Sequence, residues 1–262
     1  MIGVSLDYDN LVYTEDENLK PDVLLPKLRE RGVKSIELRT VPNDAPPEEV
    51  LFVANLLWDY GFSVTVHAEC HTFARAVEEV FGPLSLMLEN MRQGDLTITL
   101  HPVRGDNIAM LTILSDYIIE MQLPVRIALE NNRKMPDESD SDCLSFVLDT
   151  VTRVNRENVG ICFDMGHYAW YAKNFTESPN TIPDETFFSR VIHTHIHAYT
   201  DGTTHFPLDE WREPMSLYIR ELRKGYLGIY NLELEPGRYA HRWNATDSYL
   251  FSIDTLKNNY RF

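Results

Sequence analysis

Eight short, β-rich apolar segments alternate with longer amphipathic segments along the whole chain, and this alternation restricts the possible folds more than any other feature. The longer segments include predicted helices at 21–32 and 46–61, each opened by proline and closed by glycine. The predicted strands are 2–6 (IGVSL), 34–39 (KSIELR), 63–68 (SVTVHA), 96–102 (LTITLHP), 125–131 (VRIALEN), 159–165 (VGICFDM), 191–198 (VIHTHIHA) and 229–235 (IYNLELE).

Consecutive strands are nearly continuous apolar runs with no two-residue hairpin turn between them, which favours a parallel sheet covered on both faces. Eight βα units in one chain predict an α/β protein in which residues 1–262 form a single (β/α)8 barrel domain. An open doubly wound sheet is the alternative. No Gly-x-Gly-x-x-Gly follows the first strand, however, so the usual dinucleotide site of that fold is absent.

The charge balance restricts the classes of partner. The 40 acidic residues outnumber the 24 lysines and arginines, and a net charge of −16 repels nucleic acid and anionic membranes. The amino terminus does not resemble a signal peptide, and no run approaches the ~18 apolar residues of a spanning helix. We therefore expect a cytoplasmic protein without a membrane or nucleic-acid partner. Cys70, Cys143 and Cys162 are odd in number and far apart, which favours reduced thiols over a disulfide framework.

Nearly every predicted strand carries a metal-capable side chain near its carboxyl end. A parallel barrel brings these ends to one rim, where the active sites of this fold are built. Because buried carboxylates are costly and converging carboxylates repel one another, a divalent cation is the simplest way to hold them together. These residues are Glu37, His67, His101, Glu130, Asp164, His195, His197, Glu233 and Glu235.

The same residues also have purely structural interpretations. A strand-end carboxylate can cap the following helix, and a lone histidine such as His67 or His101 can be a satisfied core residue. His193, His195 and His197 alternate along one predicted strand and share a side, so some of them could only line the barrel. We prefer the metal interpretation because so many of these side chains converge.

Several motifs together resemble the xylose isomerase-like TIM barrels, a family that includes sugar isomerases, tagatose-type epimerases, inosose dehydratases and endonuclease IV-type enzymes. The resemblance spans essentially the whole chain, and the Asp-x-x-His motif is its most specific element. The motifs are Glu130 in IALENN, Asp164-Met165-Gly166-His167, His195 in THIHAYTDG, His205-Phe206-Pro207-Leu208, and Tyr226 and Gly228 upstream of Glu233.

This resemblance implies a metal-dependent isomerase or epimerase that acts on a sugar or sugar phosphate by proton transfer through a metal-stabilised enediolate. One divalent ion (Mn, Mg, Co or Zn) would be held by Glu130, Asp164, His195 and Glu233, and the two glutamates would also be catalytic. The partner would be a small-molecule sugar or sugar-derived substrate, and a homo-oligomer is compatible with the sequence. Residues implied to bind substrate are His67, His101, Asn132, His167, Trp170 and His197.

The same resemblance allows a multinuclear zinc phosphodiesterase of the endonuclease IV type as the alternative. Up to three Zn ions would then use His67, His101, His167 and His205 as extra ligands. Thr203 stands where the third zinc site of that type has an aspartate, and the net charge of −16 is a poor setting for DNA binding. A third hypothesis is a barrel that binds a small molecule without catalysis and holds no metal.

The sequence does not decide whether the substrate is phosphorylated. No glycine-rich phosphate loop is present, but Arg39, Arg104, Arg133 and Arg238 follow strand ends and could each hold a phosphate. A free sugar, a sugar phosphate and a cyclitol all remain open.

Overall fold

The computed structural model describes residues 1–132, 143–175, 181–200, 203–208 and 215–260. Eight parallel strands form a closed barrel in sequence order, which confirms the predicted (β/α)8 fold. The strands are β1 (Ile2–Asp7), β2 (Ser35–Val41), β3 (Ser63–Ala68), β4 (Leu96–Leu100), β5 (Val125–Glu130), β6 (Val159–Asp164), β7 (Val191–Ile196) and β8 (Tyr230–Leu232).

Helices follow the strands, as the alternation predicted. The first long one begins at the predicted Pro21, and the chain leaves it through Gly32, whose φ of +77° is a left-handed conformation that favours glycine. No helix in the described ranges is long and apolar enough to cross a membrane. The α-helices there are α1 (Tyr8–Val12), α2 (Pro21–Glu30), α3 (Pro47–Asp59), α4 (Ala76–Glu89), α5 (Asn107–Glu120), α6 (Cys143–Val154), α7 (Met165–Phe175), α8 (Glu185–Phe188), α9 (Met215–Leu222) and α10 (Ala245–Tyr260).

Side chains on each strand alternate between two environments. Ile36 and Leu38 on β2 are fully buried in the apolar core. Glu37, between them, points into the barrel, where its Oε1 accepts hydrogen bonds from Ser5 Oγ at 2.7 Å and Asn231 Nδ2 at 3.0 Å. Polar side chains from several strands therefore collect inside the barrel, while apolar ones pack under the helices.

The last strand is shorter than the predicted segment 229–235. Beyond β8 the backbone pairs with the end of β7 and with the loop after it: Glu233 N donates to Ile196 O, and Glu235 N donates to His205 O, both at 3.1 Å. A short 3₁₀ helix follows. Glu233 thus lies just past the end of β8, at the rim of the barrel.

Candidate metal centre and active site

The four predicted metal ligands meet at the carboxyl-terminal rim. Glu130 ends β5, Asp164 ends β6, His195 lies on β7 and Glu233 follows β8. All four are buried, and each offers one ligand atom within 4.8 Å of the others. His195 Nδ1 lies 3.2 Å from Glu130 Oε2 and 3.3 Å from Glu233 Oε2. The structure therefore brings this predicted set together.

The donor atoms of this four-residue group fit a divalent cation. Among the described residues, Glu130 Oε1, Glu233 Oε2 and His195 Nδ1 are buried atoms without a hydrogen-bond partner. Buried polar atoms are nearly always partnered, so three unsatisfied atoms in one place require an explanation such as a bound ion. Three carboxylates and one imidazole suit Mn, Mg or Co, and the histidine also suits Zn.

Histidines compensate the charge of these carboxylates. Burial alone would raise the pKa of Glu130 and Glu233, but His195 and other neighbouring histidines hold both pKa values well below the usual range. The pKa of His195 is raised well above its usual value despite burial, because Cys162 and Glu37 lie beside it with the carboxylates. A cation bound here would replace such a proton, so its affinity should rise with pH.

Glu37 lies beneath the four-residue group and orients it. Its Oε2 contacts His193 Nε2, and its Oε1 contacts His195 Nε2, each at 2.9 Å. This second contact leaves Nδ1 of His195 facing Glu130 and Glu233. The strand-end pattern predicted Glu37 as a metal-capable residue but did not predict this orienting role. The position of Glu37 along its strand could have indicated this role. Glu37 lies within its strand, deeper in the barrel, whereas Glu130 and Asp164 end their strands at the rim.

Two predicted pocket histidines, one on β3 and one just past the end of β4, converge on Glu130. His67 Nε2 lies 3.0 Å from Glu130 Oε2, and His101 Nε2 lies 3.4 Å from the same oxygen. Their rings meet edge to face with centroids 4.7 Å apart. His67 is buried, whereas 45% of the His101 side chain is exposed. The pair can therefore hold an ion with Glu130 or present nitrogen atoms to a substrate.

A further group of imidazoles surrounds the carboxylate of Asp164. Asp164 Oδ2 lies 3.1 Å from His197 Nε2 and 3.3 Å from His167 Nδ1. The His197 ring stacks on that of His205 with centroids 4.3 Å apart, and His205 N donates to His197 Nδ1 at 3.0 Å. Thr203 is not part of this group, because its hydroxyl accepts a hydrogen bond from Arg238. His197, predicted to bind substrate, lies in this group beside Asp164 and His205.

A cavity of about 340 Å³ opens above these groups, and we call it the metal cavity. Glu233 reaches its wall, but Glu130 does not, since it lies behind His67 and His101. The implied substrate-binding residues Trp170 and His197 are not among those that line this space. The lining includes His67, His101, Asn132, His167, His205, Glu233, Arg39, Thr40 and Arg238.

The arginines suggested as phosphate ligands are differently placed. Arg39 and Arg238 reach the metal cavity, but each contacts a carboxylate, Asp7 at 2.7 Å and Glu235 at 2.6 Å respectively. Arg104 does not line the cavity. Arg133 lies outside the described residues.

Comparison with known proteins finds a shared fold without close sequence similarity. No family model and no curated protein matches this sequence. Among solved structures, a xylose isomerase domain protein from Planctomyces limnophilus superposes with a TM-score of 0.63 at 14% identity, over 99% of this chain and 96% of that one. The barrel thus has the fold of the xylose isomerase-like proteins, as the sequence resemblance predicted.

Two similar structures are those of sugar epimerases. A D-psicose 3-epimerase, solved in the presence of D-fructose, superposes with a TM-score of 0.61 at 12% identity, over 97% of this chain and 98% of that one. An L-ribulose 3-epimerase superposes with a TM-score of 0.64 at 12% identity, over 100% of this chain and 95% of that one. At identities this low, the superpositions show a shared fold only, and the activity has to be inferred from the residues of the site.

Proposed function

We propose that this protein is a metal-dependent isomerase or epimerase of a sugar or sugar-derived small molecule. The observation that carries the proposal is the four-residue group, which holds unsatisfied buried oxygens and reaches a polar cavity of about 340 Å³ through Glu233. Glu130, Asp164, His195 and Glu233 would hold one divalent ion, Mn, Mg, Co or Zn. When bound, the ion would supply positive charge that stabilises a substrate carbonyl oxygen and the neighbouring hydroxyl oxygen as the hydroxyl-bearing carbon loses a proton.

Proton transfer at carbon is assigned first to Glu233, because it alone of the two glutamates lines the metal cavity. Glu130 is the second carboxylate of the predicted pair and sits behind His67 and His101. His67, His101, His167 and Asn132 reach the cavity wall, where their polar atoms can hydrogen-bond to substrate hydroxyl and carbonyl oxygens. This arrangement holds a small polar molecule beside a carboxylate, as carbon deprotonation requires.

The test is incorporation of solvent deuterium at carbon in free and glycosylated ketoses, ketose phosphates and inososes with added Mn, Mg, Co or Zn. We expect exchange in at least one substrate, and its loss in Glu233→Gln and Glu130→Gln, because the amide is neither a base nor an anionic ligand. Glu221→Gln on α9, which changes an exposed Glu–Lys pair, is the matched control and should exchange normally. If wild type exchanges no carbon-bound hydrogen in any of these compounds, the proposal fails.

A second candidate function is multinuclear zinc phosphodiester cleavage. The observation that favours it is that ligand-competent groups flank the four-residue group on both sides and share its carboxylates: His67 and His101 at Glu130, and three histidines at Asp164. Elemental analysis decides between the candidates. About one ion per chain supports the isomerase, whereas two or three Zn with cleavage of abasic-site DNA would replace it. No metal and no activity would indicate a binding barrel.

A further inference from the structure

A second, larger space adjoins the metal cavity. We call it the outer lobe, and its lining includes Asp7, Asn18, Leu19, Glu235, Gly237 and Trp243. It has a volume of about 800 Å³, more than twice the 340 Å³ of the metal cavity. Arg39 and Thr40 line both spaces, so the two adjoin at the end of β2. Thr40 has a φ of +59°, a left-handed conformation that is rare for a β-branched residue and is typical of ligand sites.

Negative charge dominates the outer lobe. Three carboxylates line it, those of Asp7, Asp16 and Glu235, and Arg39 is the one cationic residue among its described lining residues. Arg39 is already compensated, because its Nη2 lies 2.7 Å from Asp7 Oδ1 and its Nη1 lies 3.9 Å from Glu235 Oε2. A phosphate would have to compete with these carboxylates for the guanidinium and would be repelled by them. The lobe therefore disfavours an anionic ligand.

The other lining groups suit hydroxyl groups. Carboxylates accept hydrogen bonds, and the amides of Asn10, Asn18 and Asn244 both donate and accept them. Trp243 and Leu19 add apolar surface against which a ring can pack. A mixture of hydrogen-bonding atoms of both kinds with one large aromatic side chain matches a neutral polyhydroxylated ring better than an apolar or an anionic group.

We propose that the outer lobe binds a second, uncharged sugar unit of the substrate, whose reacting end occupies the metal cavity. This inference rests on the proposed function, since it takes the reacting unit to be a sugar. A cavity of 340 Å³ is at the small end of ligand sites, which span about 300–1,000 Å³, and already suits a single monosaccharide. The substrate class is therefore a glycosylated ketose or a similar glycoside rather than a free or phosphorylated monosaccharide.

Gly237 allows the outer lobe to be filled without disturbing the metal cavity. A Cβ built on Gly237 meets no atom within 4 Å, so Gly237→Phe can place its ring in the lobe. Gly94, which precedes β4 at the other end of the barrel, has the same open surroundings, and Gly94→Phe is the matched control. Gly237→Ala adds only a methyl group and should leave ligand binding in the lobe unchanged. It therefore shows whether a side chain at position 237 is tolerated by the fold, apart from the effect of filling the lobe.

The experiment is calorimetric titration of the full chain with added Mn, using lactulose, maltulose, fructose and fructose 6-phosphate. We expect both disaccharides to bind at least about tenfold more tightly than fructose or its phosphate. Gly237→Phe should remove that preference and leave fructose affinity within about twofold, whereas Gly94→Phe and Gly237→Ala should preserve it.

Equal affinity for fructose and the disaccharides, tighter binding of the phosphate, or no binding of any of the four overturns the inference. So does a preference that survives Gly237→Phe. The readout is binding, so the two proposals fail separately. Disaccharide binding without carbon exchange overturns only the proposed function, and exchange in fructose without a disaccharide preference overturns only the outer-lobe assignment.

Discussion

Replacing Gly166 with alanine tests the packing of the histidines around Asp164. Gly166 lies in the first turn of α7, and a Cβ built on it would be 2.0 Å from Cε1 and 2.1 Å from Nδ1 of His197. The His197 ring is held on its other sides, by stacking on His205 at 4.3 Å and by the 3.1 Å contact with Asp164. The added methyl group must therefore displace His197 or the backbone of α7.

The expected change in the free energy of unfolding can be estimated from these contacts. At an unhindered site, glycine to alanine stabilises a protein by about 0.4–1 kcal/mol. At Gly166, overpacking costs about 1–3 kcal/mol. Displacement of His197 leaves buried partners unsatisfied, at a further cost of about 1–3 kcal/mol. After the ordinary gain is subtracted from these two costs, we expect Gly166→Ala to destabilise the protein by about 1–6 kcal/mol in total.

Urea unfolding of the metal-free protein measures this change. Gly225→Ala is the matched control, because its Cβ would meet nothing within 4 Å, and it should gain up to about 1 kcal/mol. In a His197→Ala background the clash is absent, so the penalty of Gly166→Ala should vanish. A Gly166→Ala variant as stable as wild type, or a penalty that persists without the His197 ring, would refute this reasoning.

Three further predictions concern metal, pH and strain. Mn or Zn at about 100 times its dissociation constant should raise the free energy of unfolding by about 2.7 kcal/mol, and Glu233→Gln should lose most of that gain in a thermal-shift titration. The metal-free protein should be most stable near pH 6.5, the usual histidine pKa. Below it, stability should fall towards pH 3, because burial lowers the pKa of His205 to about 3 and only the unfolded chain takes up this proton. Above it, stability should fall because the raised pKa values of His195 and His197 keep both protonated only in the folded chain. Urea titrations across this range check the profile, and His205→Asn should flatten its acid side. Thr40→Gly should stabilise the protein by up to about 1 kcal/mol in chemical denaturation, because glycine adopts the left-handed conformation without strain.

The barrel was predictable because its signal is repeated eight times along the chain. Each apolar strand and each amphipathic helix is readable locally, and parallel βα units leave few ways to bury both. The prediction was weakest at strand ends, as in segment 229–235, where only 230–232 are β8. Beyond that end, the backbone N–H of Glu233 bonds to the end of β7 and that of Glu235 bonds to the loop after it, and no local sequence pattern predicts these partners.

The convergence of the metal-capable side chains was also predictable, since topology alone brings strand ends together. The different role of each side chain within the site was not predictable. Glu37 and Glu130 look alike in sequence, yet Glu37 lies beneath His195 and Glu130 lies beside it. The place of His197 depends on the left-handed backbone of His205, with a φ of +67°, which turns that ring against it. Such arrangements arise from packing between distant segments rather than from spacing along the chain.

The number of bound ions and the nature of the ligand are physically linked at this site. The central group contains three carboxylates, those of Glu130, Asp164 and Glu233. One divalent cation would leave the group with about one net negative charge when its histidines are neutral, which suits an uncharged sugar. Three Zn ions would leave about three positive charges, which suits a phosphodiester, and would use the surrounding histidines as ligands instead of substrate contacts. The adjoining outer lobe is itself rich in carboxylates and disfavours anions. The charge of the surroundings therefore supports the single-ion centre and a neutral substrate together.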